Sequence, residues 1–447
     1  MDIKISLWHH YRLAIKSQSS QRIQDFQKAE NVLFTVLERV SAVDSRFRVN
    51  YCRDPEAIEF SLRTSVDGLI IDVPLWVNAE DLLVQESSDA QQGSDATSNS
   101  QGRTLSGCYY LEVPKTSAVP DIWRKDDVFD AMDGSRSSGH IVPGKVVKLL
   151  KDLVVASIVH CKHHTLIRPG DLCAVDLNKD SLQILLQVQC GLKMVHFNIV
   201  PVVKRQKDTI KLERKQKGKV RGFPQDKLQA AITPGADLIP ATHHQWRYSS
   251  HQLLRKLFDF VDTLAGHRLD SLSILDRVNN EHWQEEGKSK GLSFYHLKIV
   301  LFWATELFPS PEDWDDLEAS VYRLLVILLC GLATRNLPDF LYPDRNLFQG
   351  VDLELSSLYN KVEEFANSPE QFLKIHITHQ VAKSSQRVEN GIKTLLQLPA
   401  NDGIYWDTPY FDILLNKFQV YHIQDKDRIS AMQNLMSKIK KNMTNQH

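Results

Sequence analysis

The segment Ser293-Phe294-Tyr295-His296-Leu297-Lys298 decides the fold of the C-terminal half, because it marks the start of a long apolar helix. Serine is a favoured N-cap residue, and the apolar run that follows Ser293 continues to Phe308, where Pro309 ends the helix. Directly afterwards, Ser310-Pro311-Glu312-Asp313 has the pattern of an N-cap, a first-turn proline and a capping-box acid. We therefore predict two consecutive helices in the core of a helical region that begins near Trp246.

The first half of the chain has a different pattern. Residues 21–43 have apolar residues at spacings of three, four and seven, which predicts a long amphipathic helix, and residues 146–159 predict a buried apolar helix. Runs of branched and aromatic residues predict strands, and two of the runs meet at Cys190-Gly191, which predicts a hairpin. The predicted strands are 46–51, 58–63, 69–77, 182–189 and 194–203. This pattern indicates an α+β fold with a mixed sheet and a long spine helix.

Composition excludes several classes of protein. The 447 residues carry 54 Lys+Arg against 55 Asp+Glu, so no global field attracts nucleic acid or an anionic membrane. The longest apolar run, residues 324–333, is half the length needed to cross a bilayer, and the N-terminus lacks the features of a signal peptide. The six cysteines show no CxxC pair, which favours reduced thiols. We expect a protein of the cytoplasm or nucleus with no membrane partner.

Two segments have low apolar content. Residues 86–107 contain one large aliphatic residue and no aromatic residue, which predicts a disordered insertion. Residues 204–221 are predicted to form a basic loop. Its charge indicates either nucleic-acid binding, or a solvated loop or partner-docking segment. Its cations are Lys204, Arg205, Lys207, Lys211, Arg214, Lys215, Lys217, Lys219 and Arg221.

His160, Cys161 and His164 are near the end of the second predicted helix, and their side chains are of the types that bind zinc. They lack a second pair of ligands farther along the chain. Histidine is also favoured at a helix C-terminus by the helix dipole. We predict a solvated helix end and no metal site.

The order of these segments resembles the male-abnormal-21-like (Mab-21) family. Gln245-Trp246-Arg247-Tyr248-Ser249-Ser250 is similar to the family's Trp-Arg-x-Ser segment, and residues 293–298 are similar to its YHLK helix start. Trp314 and the segment Asn336-Leu337-Pro338-Asp339-Phe340-Leu341-Tyr342-Pro343 extend the match. The resemblance covers essentially the whole chain.

The resemblance implies a bilobal nucleotidyltransferase-like fold, similar to that of cyclic GMP-AMP synthase. It implies a nucleotidyltransferase-like lobe over residues 1–240 and a helical lobe over residues 241–447, with a nucleotide cleft between them. Active members of this fold use three carboxylates to hold two divalent ions. Two of the acids are at i and i+2 on one strand, where alternating side chains share a face, and the third is on a neighbouring strand.

By resemblance, the three metal-binding positions are Ile70, Asp72 and Asn198, of which only Asp72 is acidic. An alkyl side chain cannot bind Mg²⁺, and an amide brings no negative charge. The turn that should hold phosphate falls near Arg53-Asp54-Pro55, where proline removes an N–H donor and aspartate repels phosphate. We therefore predict no catalytic residues, no enzyme activity and no cofactor.

Other positions could still hold a nucleotide without turnover. Arg247, Tyr248 and Ser249 are near the base-binding side of the cleft by resemblance, although core packing explains Tyr248 and Ser249 equally well. In the helical lobe Asp276 replaces a phosphate-facing lysine, and Arg277 could compensate for it. The main hypothesis is an inactive nucleotidyltransferase-fold protein that binds an unidentified protein partner, in the developmental roles associated with the family. Nucleotide sensing and nucleic-acid binding through residues 204–221 are the alternatives.

Overall fold

The fold was obtained as a computed structural model. It describes residues 6–444 apart from the gaps 50–52, 65–68, 75–80, 87–102, 105–106, 116–117, 133–137, 177–180, 191–192, 206–209, 212–221, 233–235, 285–290, 352, 374–389 and 421–422.

The described residues form an α+β structure, as predicted. The strands are β1 Leu69–Pro74, β2 Leu83–Glu86, β3 Arg103–Thr104, β4 Tyr109–Val113, β5 Phe129–Ala131, β6 Gly139–Ile141, β7 Leu172–Asp176, β8 Ile184–Cys190, β9 Lys193–Arg205, β10 Ile210–Lys211, β11 Ala236–Pro240 and β12 Trp246–Tyr248. The helices are α1 Leu7–Ser17, α2 Ser19–Val43, α3 Arg53–Leu62, α4 Pro143–His163, α5 Gln225–Ile232, α6 His251–Asp262, α7 Arg268–Val278, α8 Phe294–Leu307, α9 Leu317–Ala333, α10 Leu355–Asn367, α11 Asn390–Leu396, α12 Leu398–Asn401, α13 Thr408–Lys417 and α14 Lys426–Thr444.

One large mixed sheet organises the first half of the chain. Among the described residues it has ten strands in the order β5-β6-β4-β12-β11-β9-β8-β7, with β1 on β9 and β2 on β4. The predicted hairpin is confirmed, because β8 and β9 pair antiparallel from Ile184 opposite Ile199 to Cys190 opposite Lys193. The β1–β9 pair is parallel and all the other pairs in this sheet are antiparallel.

Alternation along β1 and β9 gives the sheet two different faces. Leu69, Ile71, Phe197 and Ile199 are at most 1% exposed and face the spine helix α2, where the rings of Phe197 and Phe26 lie 6.0 Å apart. Residues between them in sequence must point to the opposite face. The opposite face therefore carries the three positions that the resemblance identifies as metal-binding.

The two core helices of the C-terminal half are confirmed, with one correction. Ser293 and His296 form a capping box at the start of α8, and α8 ends one residue before Phe308. Ser310 is not the N-cap of the next helix, because Pro311–Trp314 form a separate 3₁₀ turn and α9 begins at Leu317. The N-cap is Asp316, whose carboxylate accepts a hydrogen bond from Ala319 N.

Two strand predictions near the N-terminus are wrong. Residues 58–63, predicted as a strand, lie mainly in α3, where Glu59 and Arg63 form an i,i+4 ion pair. The described part of residues 46–51 also contains no strand, although Phe47 is fully buried. A short run of branched and aromatic residues occurs both in strands and in helices, so it does not determine which one forms. Here the run belongs to a helix, because α3 packs on α2 and α7.

Contacts at both ends of the chain bear on the division at residue 240, which stays a prediction. β12, at residues 246–248, pairs with β11 and β4, so the sheet continues past residue 240. At the other end, α1 packs on α7 and α9 in the helical half, where Trp8 contacts the rings of Tyr322 and Phe365. The first helix of the chain therefore belongs to the helical lobe by its contacts.

The predicted disordered insertion falls mostly outside the described residues. Within it, Arg103–Thr104 form strand β3, which pairs with β10 in a small second sheet, in contrast to the prediction. None of the described helices is both long enough and apolar enough to cross a membrane. Five cysteines are described as free thiols: Cys108, Cys161, Cys173, Cys190 and Cys330.

Candidate interlobe site

The structure brings Ile70, Asp72 and Asn198 together on two adjacent strands. Ile70 on β1 is the register partner of Asn198 on β9, and Asp72 follows two residues later on the same face. Ile70 is 37% exposed, whereas Asp72 is 7% exposed. The Oδ1 atom of Asn198 is buried and accepts no hydrogen bond from the part of the chain that the structure describes. This arrangement places one carboxylate, one amide and one alkyl side chain side by side.

The carboxylate of Asp72 contacts the first turn of α6. Gln252 Nε2 donates a hydrogen bond of 2.6 Å to Asp72 Oδ2. The site therefore already supplies Asp72 with a donor from the protein itself, which partly offsets the cost of burying its charge. Gln252 comes three residues after Ser249, the last residue of the Trp-Arg-x-Ser segment, so its position in the sequence is the signal that could have identified it.

A second contact of α6 places a cation beside Glu56. His251 Nε2 lies 3.8 Å from Glu56 Oε1, and Arg255 Nη1 lies 3.9 Å from the same oxygen. Burial would lower the pKa of His251, but Glu56 and Asp72 outweigh this effect, so its pKa is raised above the ordinary value. His251 is therefore biased toward the charged form and lies among carboxylates of α3 and β1.

Glu59 connects α3 to the helical lobe. Lys298 Nζ, on α8, donates hydrogen bonds of 3.1 and 3.2 Å to the two carboxylate oxygens of Glu59, and Arg63 donates a third. Burial opposes ionisation of Glu59, but the two cations lower its pKa to about 2. Glu59, Lys298 and Arg63 therefore form a charged contact between α3 and α8.

The fourth acid near the site is Asp237 on β11. Its backbone is the register partner of Lys204, and its carbonyl accepts a hydrogen bond of 2.7 Å from Ser249 N. Burial raises the pKa of Asp237; Lys204 opposes this shift and the charge of Asp72 adds to it. The acids Glu56, Asp72 and Asp237 thus surround the start of α6, each beside a cation or a side-chain donor.

These residues do not fit a pair of magnesium ions. Two such ions need several hard oxygen ligands in near-octahedral geometry, and the three positions expected from the fold supply a single carboxylate. Across the described ranges, no three His, Cys, Asp or Glu side chains are grouped so that they could hold a metal ion. The face of β1 and β9 therefore presents one carboxylate at the positions where the resemblance leads us to expect three.

The helices next to this site carry a recognisable domain. Residues 267–364 match the Mab-21 protein HhH/H2TH-like domain. This match contains the capping box of α8, Trp314 and the Asn336–Pro343 segment. The mixed α+β architecture is consistent with the nucleotidyltransferase-like fold of the Mab-21 family.

Two curated relatives also match the chain. The protein named mab-21-like 3 from Xenopus laevis is 25% identical over 229 residues, which are 50% of this chain and 62% of that protein. Its namesake from Danio rerio is 23% identical over 236 residues, which are 53% of this chain and 59% of that protein. The chain thus matches about three fifths of the length of these relatives. Together with the domain match, they support membership of the Mab-21 family.

The structure places the predicted nucleotide-binding residues of β12 in different environments. Tyr248 is 1% exposed, and its ring packs edge-on against that of Tyr109 at 5.1 Å, which favours core packing. Ser249 Oγ accepts a hydrogen bond of 3.1 Å from the backbone N of His251, the first residue of α6. Arg247 is exposed on the opposite side of β12, and its pKa is lowered by partial burial and by the neighbouring Arg345.

Arg277 and Asp276 are both held by contacts within the protein. Arg277 Nε lies 2.7 Å from Glu281 Oε1, and its guanidinium stacks over the ring of Tyr11. Asp276 is fully buried and accepts hydrogen bonds from the backbone N and the hydroxyl of Thr64. The acid that replaces the family's lysine thus binds the end of the α3 segment.

The structure corrects part of the predicted basic loop. Lys204 and Arg205 are the last residues of β9, and Arg205 is buried, with Nη1 donating to Leu82 O at 3.0 Å. Arg205 therefore cannot contribute to a surface for phosphate. Lys211 lies in strand β10. The remaining predicted cations lie outside the described residues: Lys207, Arg214, Lys215, Lys217, Lys219 and Arg221.

The histidine cluster is at the end of α4, as predicted. The rings of His160 and His164 lie 4.2 Å apart, and His164 is the C-cap residue. Cys161 is fully buried, and its thiol is directed toward Thr35 O at 3.8 Å. The cysteine and the two histidines thus have different environments.

Proposed function

We propose that this chain is a catalytically inactive nucleotidyltransferase-fold protein that acts as an interaction scaffold. The observation that supports this proposal is the register of β1 on β9, which sets Ile70 beside Asn198 and leaves Asp72 as the one acid of the three positions. A protein partner and the developmental role that the resemblance implies belong to the same proposal.

The contacts around Asp72 support the scaffold further. Gln252 binds its carboxylate, and the Glu59–Lys298 contact holds α3 against α8 on the side of the site where the lobes meet. Charged contacts of this kind cost several kcal/mol to separate when they are buried. The two lobes are therefore held in a fixed arrangement, which suits a binding surface.

The test is incubation of the purified chain with nucleoside triphosphates and Mg²⁺ or Mn²⁺, with and without DNA or RNA. We expect no nucleotide product. Formation of a product by the wild type that is lost in Asp72→Asn would overturn the proposal. Affinity purification of the wild-type chain followed by mass spectrometry then identifies the partner.

A second candidate function is nucleotide binding without turnover, and the pair Arg247 and Arg345 favours it. Burial, and after it the nearby charge of Arg345, lower the pKa of Arg247, and the two like charges repel one another. An anion bound between them would relieve that repulsion. Tyr295, whose hydroxyl donates to Asp339 at 3.2 Å, is also close enough to be influenced by both cations.

This second function is tested by thermal unfolding with millimolar ATP, GTP, CTP or UTP. A ligand that binds the folded state raises the melting temperature in proportion to the logarithm of its concentration. We expect Arg345→Gln to abolish the rise and Arg168→Gln, a matched change at another exposed arginine, to preserve it. Equal melting temperatures with and without every nucleotide would exclude this function.

Nucleic-acid binding through residues 204–221 is the remaining alternative. It depends on the cations from Lys207 onward, since Arg205 is buried. Binding of this type weakens steeply with salt, because each phosphate contact releases counterions. Such binding falls sharply between about 50 and 200 mM salt. An affinity for RNA or DNA that does not change over this range would exclude nucleic-acid binding as the function.

A further inference from the structure

A cavity of about 170 Å³ lies between α1, the end of α3 and α7, and its lining residues are not among those named for the interlobe site. Three apolar side chains line it: Ile15 of α1, Leu62 of α3 and Ile274 of α7. Ile15 is 3% exposed and Ile274 is fully buried. Cavities of about 150 Å³ with apolar walls accommodate a benzene-sized molecule. The size and lining therefore fit a single ring or a short aliphatic chain.

The same cavity has more cations than anions. Asp270 contacts three basic side chains: Arg12 Nε at 2.6 Å, Lys16 Nζ at 3.1 Å and His267 Nδ1 at 2.8 Å. One carboxylate neutralises one positive charge, so Arg12 and Lys16 together leave an excess of about one charge before His267 is counted. The excess charge is available to a ligand.

Donors on both cations are also available. Arg12 contacts Asp270 through Nε, and neither terminal guanidinium nitrogen donates a hydrogen bond to any residue in the described part of the chain. Lys16 uses one contact to Asp270, and its side chain is 53% exposed. A guanidinium group carries five N–H donors and an ammonium group three, so both can bind a second anion.

The serine hydroxyls that line the cavity do not compete for this role. Ser19 Oγ donates to Lys16 O, Ser61 Oγ donates to Ile58 O, and Ser273 Oγ donates to Leu62 O. Each hydroxyl proton is thus already used, and each oxygen presents lone pairs to the cavity. Arg12 and Lys16 are therefore the lining side chains that can bind a negative charge.

We propose that this cavity binds a small organic anion, whose charge contacts Arg12 and Lys16 and whose apolar part lies on Ile15, Leu62 and Ile274. The cavity requires both parts of the ligand. An inorganic anion would leave the apolar walls uncovered, and a neutral ring would leave the excess positive charge without a partner. Asp270 is the internal competitor of the ligand, since it occupies the same two cations.

Isothermal titration calorimetry with benzoate as the probe tests the proposal on the full chain. Benzamide is the neutral control of the same shape, and inorganic phosphate is the anion without an apolar part. We expect heat of binding for benzoate at millimolar concentration and at least about threefold weaker binding of both controls, as loss of one partly exposed ion pair or of the ring contacts would cause. Equal affinity for benzoate and benzamide would overturn the proposal.

Substitutions at Lys16 and Asp270 have opposite expected effects on the affinity for benzoate. Lys16→Gln should weaken binding about threefold and Lys16→Glu more, whereas Asp270→Asn should tighten it about threefold, because the competing carboxylate is removed. Lys438→Gln, at an exposed lysine of α14, is the matched control and should change nothing.

Lys16 is half exposed, so its two variants keep the proposal testable even if Asp270→Asn fails to fold. An affinity that is the same in the wild type, Lys16→Gln and Lys16→Glu would contradict the assignment. Weaker binding by a folded Asp270→Asn would contradict it as well, because it would show that the carboxylate assists the ligand.

Discussion

At the scale of single residues, Ile70 and Asn198 distinguish this sheet from one that binds metal. Their backbones are register partners, so their side chains point from neighbouring strands to the same face as Asp72. The difference from a carboxylate site is therefore one of side-chain chemistry at two positions.

The first prediction follows from that difference. The double variant Ile70→Glu/Asn198→Asp should bind Mn²⁺ at least about tenfold more tightly than the wild type, because two charges are added beside Asp72. Ile70 is 37% exposed, so a glutamate there can stay hydrated. Mn²⁺ binding is measured by electron paramagnetic resonance. Adding Asp72→Asn to the double variant is the control and should remove the gain; equal Mn²⁺ affinity of wild type and double variant would contradict the prediction.

The second prediction concerns Glu59 and pH. The pKa of Glu59 is lowered from 4.5 to about 2 in the folded state, so ionised Glu59 stabilises the fold above the unfolded-state pKa. That contribution is lost as the pH falls from about 5 to about 2. Glu59→Gln should reduce the free energy of unfolding at pH 7 by about 3–5 kcal/mol, because Lys298 and Arg63 lose their buried partner.

Urea unfolding at several pH values measures this effect. The variant should also lose less stability than the wild type between pH 5 and pH 2. Glu364→Gln, at an exposed glutamate of α10, is the matched control and should follow the wild type. Identical pH dependence of the wild type and Glu59→Gln would show that the contact with Lys298 does not contribute to stability.

At the scale of elements, the C-terminal helix α14 is attached by a charged cluster around Arg428 as well as by apolar contacts. Arg428 donates to both carboxylate oxygens of Asp313 at 2.9 Å and to both of Asp412 at 2.8 and 3.1 Å. Arg323 binds Asp313 from the other side at 3.1 Å. Of the described apolar side chains of α14, Ile439 is buried and Met432, Leu435 and Met436 are partly buried against the core, so the charged cluster adds to an apolar contact.

The third prediction is that Arg428→Gln releases α14. Arg428 donates to both acids, so the variant removes the cation that is hydrogen-bonded to Asp412 and one of those beside Asp313, and leaving a buried charge without its partner costs about 3–5 kcal/mol. Amide hydrogen exchange along α14 should become much faster, with smaller changes in α8 and α9. Lys438→Gln on the exposed side of the same helix is the control. If amide hydrogen exchange in α14 is the same in Arg428→Gln as in the wild type, the apolar contacts hold this helix and Arg428 does not.

Local signals in the sequence predicted the long elements well. The capping pattern at Ser293 and the proline at 309 placed α8 to within one residue, and the family resemblance implied that β1 and β9 are neighbouring strands. The helix α1 was missed, although Ser6 as N-cap and Trp8, Tyr11 and Ile15 on one face were a usable signal. Residues 58–63 were wrongly predicted, because short apolar runs do not determine a period.

The site was predicted only in part, for a physical reason. Ile70, Asp72 and Asn198 follow from strand periodicity together with the family resemblance. The partners Gln252 and Lys298 are 180 and 239 residues from Asp72 and Glu59 in sequence, and only the packed fold brings them together. Contacts between residues so far apart in sequence produce no periodic pattern of residue types from which they could be predicted.

At the scale of the whole molecule, α1 joins the beginning of the chain to the helical lobe. Trp8 is 6% exposed and packs edge-on against Tyr322 of α9 and Phe365 of α10, at 6.3 and 6.1 Å. Tyr11 adds a hydrogen bond of 3.1 Å to Glu281. The stability of the helical lobe therefore depends on residues that precede the sheet in sequence.

The fourth prediction is that Trp8→Ala lowers the free energy of unfolding by about 3–5 kcal/mol, the usual cost of removing a buried tryptophan side chain. Leu13→Ala on the same helix is the control, because Leu13 is 50% exposed and should cost little. Urea unfolding followed by circular dichroism measures both. Equal losses in the two variants would show that α1 does not contribute to the core of the lobe.

The free thiols of the described chain differ in their access to solvent. Cys173 is exposed, whereas Cys161 and Cys330 are fully buried, and burial raises the pKa of Cys330 to about 12. A thiol must be both accessible and deprotonated to react. A maleimide dye should therefore label Cys173 in the native protein, and label Cys330 only when the helical lobe opens. The rate at which Cys330 is labelled therefore measures how often that lobe opens, and no labelling site has to be introduced.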